Sequence, residues 1–208
     1  MSDLSDSPAA KPVRWLPYSH PAFRPYVVAL GQLALMWNEL HEMLGLLYCS
    51  MMGVRQGVPV NQHLAVWHAL KVDRAQRDIL LAAAESVTLG AIPITFIDDI
   101  KWLCDRANAV EDARNNAVHS PLLGLDYGDK VIVQPRTSLG HVRARRLAIK
   151  ADLLSEFRWC RDASYCLIEY ALSMHDSLFR GFVTPWPNRP AWPTHQATNV
   201  KRQRPQHA

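Results

Sequence analysis

Arg114, Asn115 and His119 lie close together in the stretch Arg114-Asn115-Asn116-Ala117-Val118-His119, and these residue types can do chemistry together. An imidazole titrates near neutral pH, so it can take or give a proton under cellular conditions. A guanidinium keeps its charge and presents a planar fork of donors that fits a phosphate. The carboxamide of Asn115 can hold either the phosphate or the imidazole in place. Their setting is unusual. Ile100, Leu103, Ala107, Val110 and Val118 recur at helical spacing, and Arg114 falls in the middle of that apolar stripe. Asn115 and Asn116 each cost roughly half a kcal/mol relative to Ala in a helix interior.

Two readings of these residues stand side by side. In one, Arg114 pairs with a carboxylate of a neighbouring helix, Glu39 or Glu42 being the candidates, while His119 complements the negative end of its own helix. In the other, Arg114 faces a polar cleft and binds phosphate there. Arg114 and His119 are five residues apart, about 140° around a regular helix. They share a site only if the arginine reaches round, if the last turn loosens before Pro121, or if a second subunit completes it. Asn115 and His119, four apart, share a face. Asp98, Asp105, Asp112 and His119, spaced by sevens, form the opposite face, which reads as solvated.

The elements that must position these groups are mostly helices. Residues 1–20 form an irregular lead-in with Pro12, Pro17 and His20-Pro21. A long helix spans roughly 22–52 and ends at Gly53. After a loop at 54–59 come a short helix in "NQHLAVWHAL" and a further one from Asp73, its N-cap, to near Gly90. The helix bearing Arg114 runs over about 95–119, because Pro121 forces Ser120 off helical angles. Val131-Ile132-Val133 after a Gly-Asp turn suggests a small hairpin or loop excursion within 122–149. A last long helix, about 150–180, carries Leu153, Phe157, Cys160, Leu167, Ile168, Ala171 and Leu178 at helical spacing. The pattern predicts an all-α bundle of about five helices over residues 21–182, with the excursion following the motif helix. Residues 183–208 form a Pro-rich basic tail, on which Trp186 and Trp192 are candidates for docking on the bundle.

Several function classes drop out. The most apolar run, in the first long helix, is broken by Gln32, Asn38, Glu39, His41 and Glu42, which argues for a core helix rather than a membrane span. The polar N-terminus shows no secretory h-region, so a cytoplasmic protein is expected. Cys49, Cys104, Cys160 and Cys166 make no Cys-x-x-Cys pair and read as small buried thiols. His41-Glu42 begins a zinc-protease motif, but Gly45 stands where the second His belongs. His63 and His68 lack nearby Cys or paired carboxylates, so no metal or cofactor is expected. Trp15, Trp37, Trp67, Trp102 and Trp159 read as core or interface anchors. The net charge of +4 is compatible with an anionic partner without establishing one.

The Arg-Asn-x-x-x-His arrangement near the end of a long helix, with "WNELHEM" in the opening helix and a long closing helix, resembles the HEPN superfamily over roughly residues 22–181. The family signature is Arg and, four to six residues on, His, commonly with Asn, Asp or His directly after the Arg. The resemblance implies metal-independent cleavage of RNA by a homodimer whose two motifs face each other, with single-stranded RNA as partner. It gives Arg114 the stabilisation of phosphoryl charge, His119 the general-base role, and Asn115 positioning, with Asn116, Glu39 and Glu42 in support. Many members are toxins or antiviral effectors, which implies a neutralising antitoxin partner, and others are non-catalytic binding modules. Nucleotide-modified members carry Tyr two positions after the His; Pro121 stands there in this chain, so regulation of that kind is not expected.

Overall fold

A computed structural model describes residues 13–53, 60–87, 92–138, 140–150 and 152–194. The loop expected at 54–59, the start of the lead-in and the tail beyond residue 194 lie outside the described residues, and the helix expected to stop near Gly90 already ends at Ser86, where Val87 turns to extended angles.

The long opening helix α1, Arg24–Met51, follows a 3-10 turn at Pro21–Phe23 and buries Leu33, Trp37, Leu40, Leu44, Leu47 and Met51. That three-and-four spacing puts one stripe against the closing helix α6, Leu153–Phe179, in the most extensive contact of the molecule. Asp152 starts α6 as its N-cap, accepting from the Leu154 N–H at 3.0 Å, and the stripe Leu153, Phe157, Cys160, Leu167, Ile168, Ala171 and Leu178 is buried as its spacing predicts. Helices α2, Val60–Ala69, and α3, Asp73–Ser86, cover one side of α1. The motif helix α4, Phe96–Val118, packs on α3 and α6. Ile100, Leu103, Ala107 and Val110 are each fully buried in the main core, as expected. Val118 is not: it is 39% exposed, and Ala117 takes the buried place at the end of the stripe.

Three further differences concern the excursion, the lead-in and one cap. After α4 the chain forms a hairpin, β2, Leu122–Asp126, and β3, Val131–Pro135, then a short helix α5, Val142–Ala148, that pattern reading missed. The lead-in is not wholly irregular: β1, Arg14–Leu16, pairs antiparallel with β2, Leu16 opposite Gly124, in a sheet of order β1-β2-β3. Gly124 is demanded by close approach, since a Cβ there would sit 2.9 Å from the Phe23 ring. Asp73 is the first helical residue rather than the N-cap, which is Val72. Its carboxylate is used elsewhere. A second, smaller core around Phe23, Leu33, Ala117, Leu147 and Phe157 ties sheet and α5 to the long helices. The described part of the tail straps the bundle: Trp186 Nε1 and Arg189 Nε donate to the buried Asp99 at 2.9 and 2.5 Å, and Trp159 Nε1 donates to the Pro193 carbonyl at 2.9 Å. Trp15 is no core anchor; it is 64% exposed, with the Arg136 guanidinium over its ring. Among the described residues, no helix is long and apolar enough to cross a membrane.

Candidate functional site

The C-terminal half of α4 meets α1 and α3 around a buried charge. Arg77 of α3 falls on that helix's apolar face, three residues before Leu80, and is 2% exposed. Its Nε donates to Asn108 Oδ1 at 2.9 Å and its Nη2 to the Glu111 carboxylate. Glu111 is thereby committed to Arg77. Above this pair lies Trp37 of α1, whose Nε1 donates to Asp73 Oδ2 at 3.0 Å. The guanidinium carbons of Arg77 and Arg114 stand 6.0 and 5.8 Å from the Trp37 ring centroid, within cation–π range.

Arg114 is half-buried on this floor and has no ion pair among the described residues. Its Nη1 donates to Asn115 Oδ1 at 2.9 Å, while its Nε is buried without a partner. The pairing expected with Glu39 or Glu42 is not formed. Glu39 is exposed, and Glu42 stands 3.8 Å from His68 at the rim. Glu111, one helical turn before Arg114 on α4, is likewise engaged elsewhere, with Arg77.

Arg114 opens onto a polar cleft of about 330 Å³, which Asn38, His41, Glu42, His68 and Gln76 also line. His41 is held in it on several sides. Its Nδ1 lies 2.8 Å from Gln76 Oε1, its ring 4.8 Å from that of Trp37, and its Nε2 3.7 Å from Asp73 Oδ2. Burial lowers its pKa below 6.5, against the opposing pull of Asp73 and Gln76.

His119 sits elsewhere. It is exposed at the end of α4, outside the cleft lining, and its N–H still reaches the Asn115 carbonyl at 3.2 Å. The last turn therefore stays wound, and of the three routes to convergence, loosening before Pro121 is not used. Ser120 closes the helix by donating to the Asn116 carbonyl at 2.5 Å; that backbone contact, not the Asn116 side chain, is what the structure gives this residue. Burial lowers the His119 pKa, and the positive charges of Arg143, Arg114 and His141 push the same way. Two of those neighbours, Arg143 and His141, come from the excursion after α4, which thus adds positive charge around the imidazole.

Arg114 and Asn115 are thus brought together by a direct hydrogen bond, and His119 feels the charge of Arg114 but is not part of the cleft lining. Sequence reasoning missed Arg77, His41 and Gln76. For Arg77 the signal was the one that singled out Arg114, a charge inside an apolar helical stripe. His41 follows Trp37 by one turn, but nothing in α1 alone tells that Gln76 will face it. Comparison of the chain with protein-family models, with curated proteins and with solved structures returns no match.

Proposed function

We propose that the chain is a metal-independent RNA endonuclease of HEPN type, cytoplasmic and homodimeric, acting as a toxin or defence effector held in check by a neutralising partner. The observation that carries this reading is Arg114: a guanidinium on a core stripe, without a carboxylate partner among the described residues, opening onto a polar cleft. A structural arginine at such a position is expected to be neutralised, because an unpaired buried charge costs several kcal/mol. Arg77 is neutralised and Arg114 is not. Holding Arg114 ready for an anionic ligand gives that difference a purpose.

In this reading the RNA supplies its own nucleophile. The 2′-oxygen attacks the adjacent phosphorus while its proton passes to His119. Arg114, oriented by Asn115, stabilises the charge gathering on the phosphoryl oxygens. The bond from phosphorus to the 5′-oxygen breaks, and that oxygen takes a proton from a second His119, supplied by another copy of the chain. The products are a 2′,3′-cyclic phosphate and a free 5′-hydroxyl. His119 is not part of the Arg114 cleft lining in one chain, so in this reading the two motifs come together only where two copies are in contact. Exposed Val27, Val28 and Leu35 on α1 offer apolar surface for such a contact.

The test uses single-stranded RNA and the matching DNA in EDTA. The expected result is RNA cut to 2′,3′-cyclic ends, DNA left whole, and no cutting by His119→Ala, whose loss costs about 10²–10⁴-fold. Expression of the wild type slows growth, and the same substitution relieves it. The second reading is a non-catalytic dimeric module that binds a nucleotide, RNA or protein, favoured by the position of His119 outside the cleft. It predicts RNA binding that depends on Arg114 with no cutting in either form.

A further inference from the structure

Trp15 is an exposed aromatic group that the cleavage reading leaves unused. It lies on β1 opposite Leu125 of β2, which in turn stands opposite Ile132 of β3. The next row, Leu16, Gly124 and Val133, faces the second core, where Gly124 lies against the Phe23 ring. Side chains alternate along a strand, so Trp15 projects from the other, outer face of the sheet. It is 64% exposed there. Exposure alone would say little, since single apolar side chains are common on surfaces. Its neighbour singles it out. Arg136 directly follows β3 and carries its guanidinium across the middle strand to 5.0 Å from the Trp15 ring centroid. It forms no ion pair among the described residues.

The pair is tied to the motif helix. The Arg136 N–H donates to the Pro121 carbonyl at 2.7 Å, two residues after His119. Toward His119 the charges of Arg143 and His141 follow, and exposed Arg14 adjoins Trp15. The carboxylates of the sheet, Asp126 and Asp129, belong to the hairpin turn, where Asp126 stands opposite Arg14 and accepts from the Gly128 N–H. Cations beside an open ring match one kind of chain. A single-stranded nucleic acid alternates phosphates with flat bases, and basic tracks with aromatic platforms hold such strands by stacking. A free phosphate has nothing to place on the indole. We propose that Trp15 is a stacking platform for one base of single-stranded RNA, with Arg136 meeting an adjacent phosphate and the strand running on toward His119. The proposal deepens the RNA reading above and rests on it, and it gives the excursion after α4 the task of holding substrate.

The experiment titrates the full chain with a labelled 2′-O-methyl uridine oligomer, which has no free 2′-nucleophile and stays whole. The control is an abasic oligomer of the same length and charge, and affinity is read by fluorescence anisotropy. The base-bearing strand is expected to bind about tenfold or more tighter. In Trp15→Ala the two strands bind alike. Trp15→Phe keeps a ring and lies between, and it carries the test if the alanine form fails to fold. With 5-fluorotryptophan incorporated, the Trp15 ¹⁹F resonance, identified by its loss in Trp15→Phe, should shift with the base-bearing strand only. Equal affinities in the wild type, or a preference unchanged in both variants, overturn the proposal. So does a Trp15→Ala chain that sediments as a smaller species with no base preference in the wild type, which makes the ring a contact between copies. RNA left uncut with the base preference intact removes the nuclease reading and keeps the platform. RNA cut with no preference removes the platform and keeps the nuclease.

Discussion

Removing Glu111 should destabilise the protein through Arg77 rather than through any contact of its own. The Arg77 side chain is 1% exposed and Glu111 21%, so Glu111→Ala strands a guanidinium where water cannot follow. Breaking a buried pair from one side costs about 3–5 kcal/mol. Two features put this case at the lower end: Glu111 is partly wet, and Arg77 keeps its bond to Asn108. About 3 kcal/mol in a domain of this size lowers Tm by about 6–12 °C. The double variant Arg77→Met with Glu111→Leu removes both charges and fills the space, so it should recover to within about 1 kcal/mol of the wild type. Thermal and urea unfolding followed by circular dichroism measure both. A loss below about 1 kcal/mol in Glu111→Ala, or a double variant no better than the single one, refutes the buried-pair argument.

If His119 is the base, kcat/KM falls on the acid side as the imidazole protonates, with its midpoint below the ordinary 6.5 because burial and the charge of Arg143 lower the pKa. Arg143→Ala should move that limb upward; a limb that stays or moves down contradicts the assignment. Asp99 is buried, which by itself raises its pKa, yet hydrogen bonds from Trp186, Arg189 and Thr95 hold it below the ordinary 3.8. A depressed carboxyl stabilises the fold above its unfolded value and loses that contribution as pH falls through the folded one. Stability should therefore decline below about pH 3.8, and Asp99→Asn should flatten that slope while lowering Tm at pH 7, both read by thermal unfolding. Burial raises the Cys49 and Cys104 thiols to about 11 and 12 and also raises Cys160. With a thiol-reactive dye the less enclosed Cys166 should react first, the other three following only in denaturant.

The long helices were legible because their apolar residues repeat at one period, and Pro121 forces Ser120 off helical angles at the end of α4. The hairpin was legible for the same reason: Val131-Ile132-Val133 follows a turn in which Asp126 Oδ1 accepts from the N–H of Gly128, whose φ is +86°. Strand β1 was not, since three residues carry no period and its pairing is set by a strand more than a hundred residues away. Helix α5 was hidden in a run of arginines that reads as a charged loop until His141 caps it by accepting from the Ala144 N–H. At the site, Arg114 and Asn115 were readable as misfits on one wheel. The pairing of Arg77 with Glu111 was not, because it is made by the tertiary packing of α3 on α4. Nor could the wheel tell that Glu42 would face His68.

Arg114 is kept for a ligand and not for the fold in this reading, and Arg114→Met tests that most directly. Methionine fills similar space and removes a buried Nε that has no partner, so Tm should stay within about 2 °C of the wild type or rise. Affinity for a single-stranded RNA oligomer, measured by fluorescence anisotropy in EDTA, should fall about tenfold or more with the charged hydrogen bonds to phosphate. A Tm lower by several degrees together with unchanged RNA affinity would make Arg114 a structural residue and contradict the account.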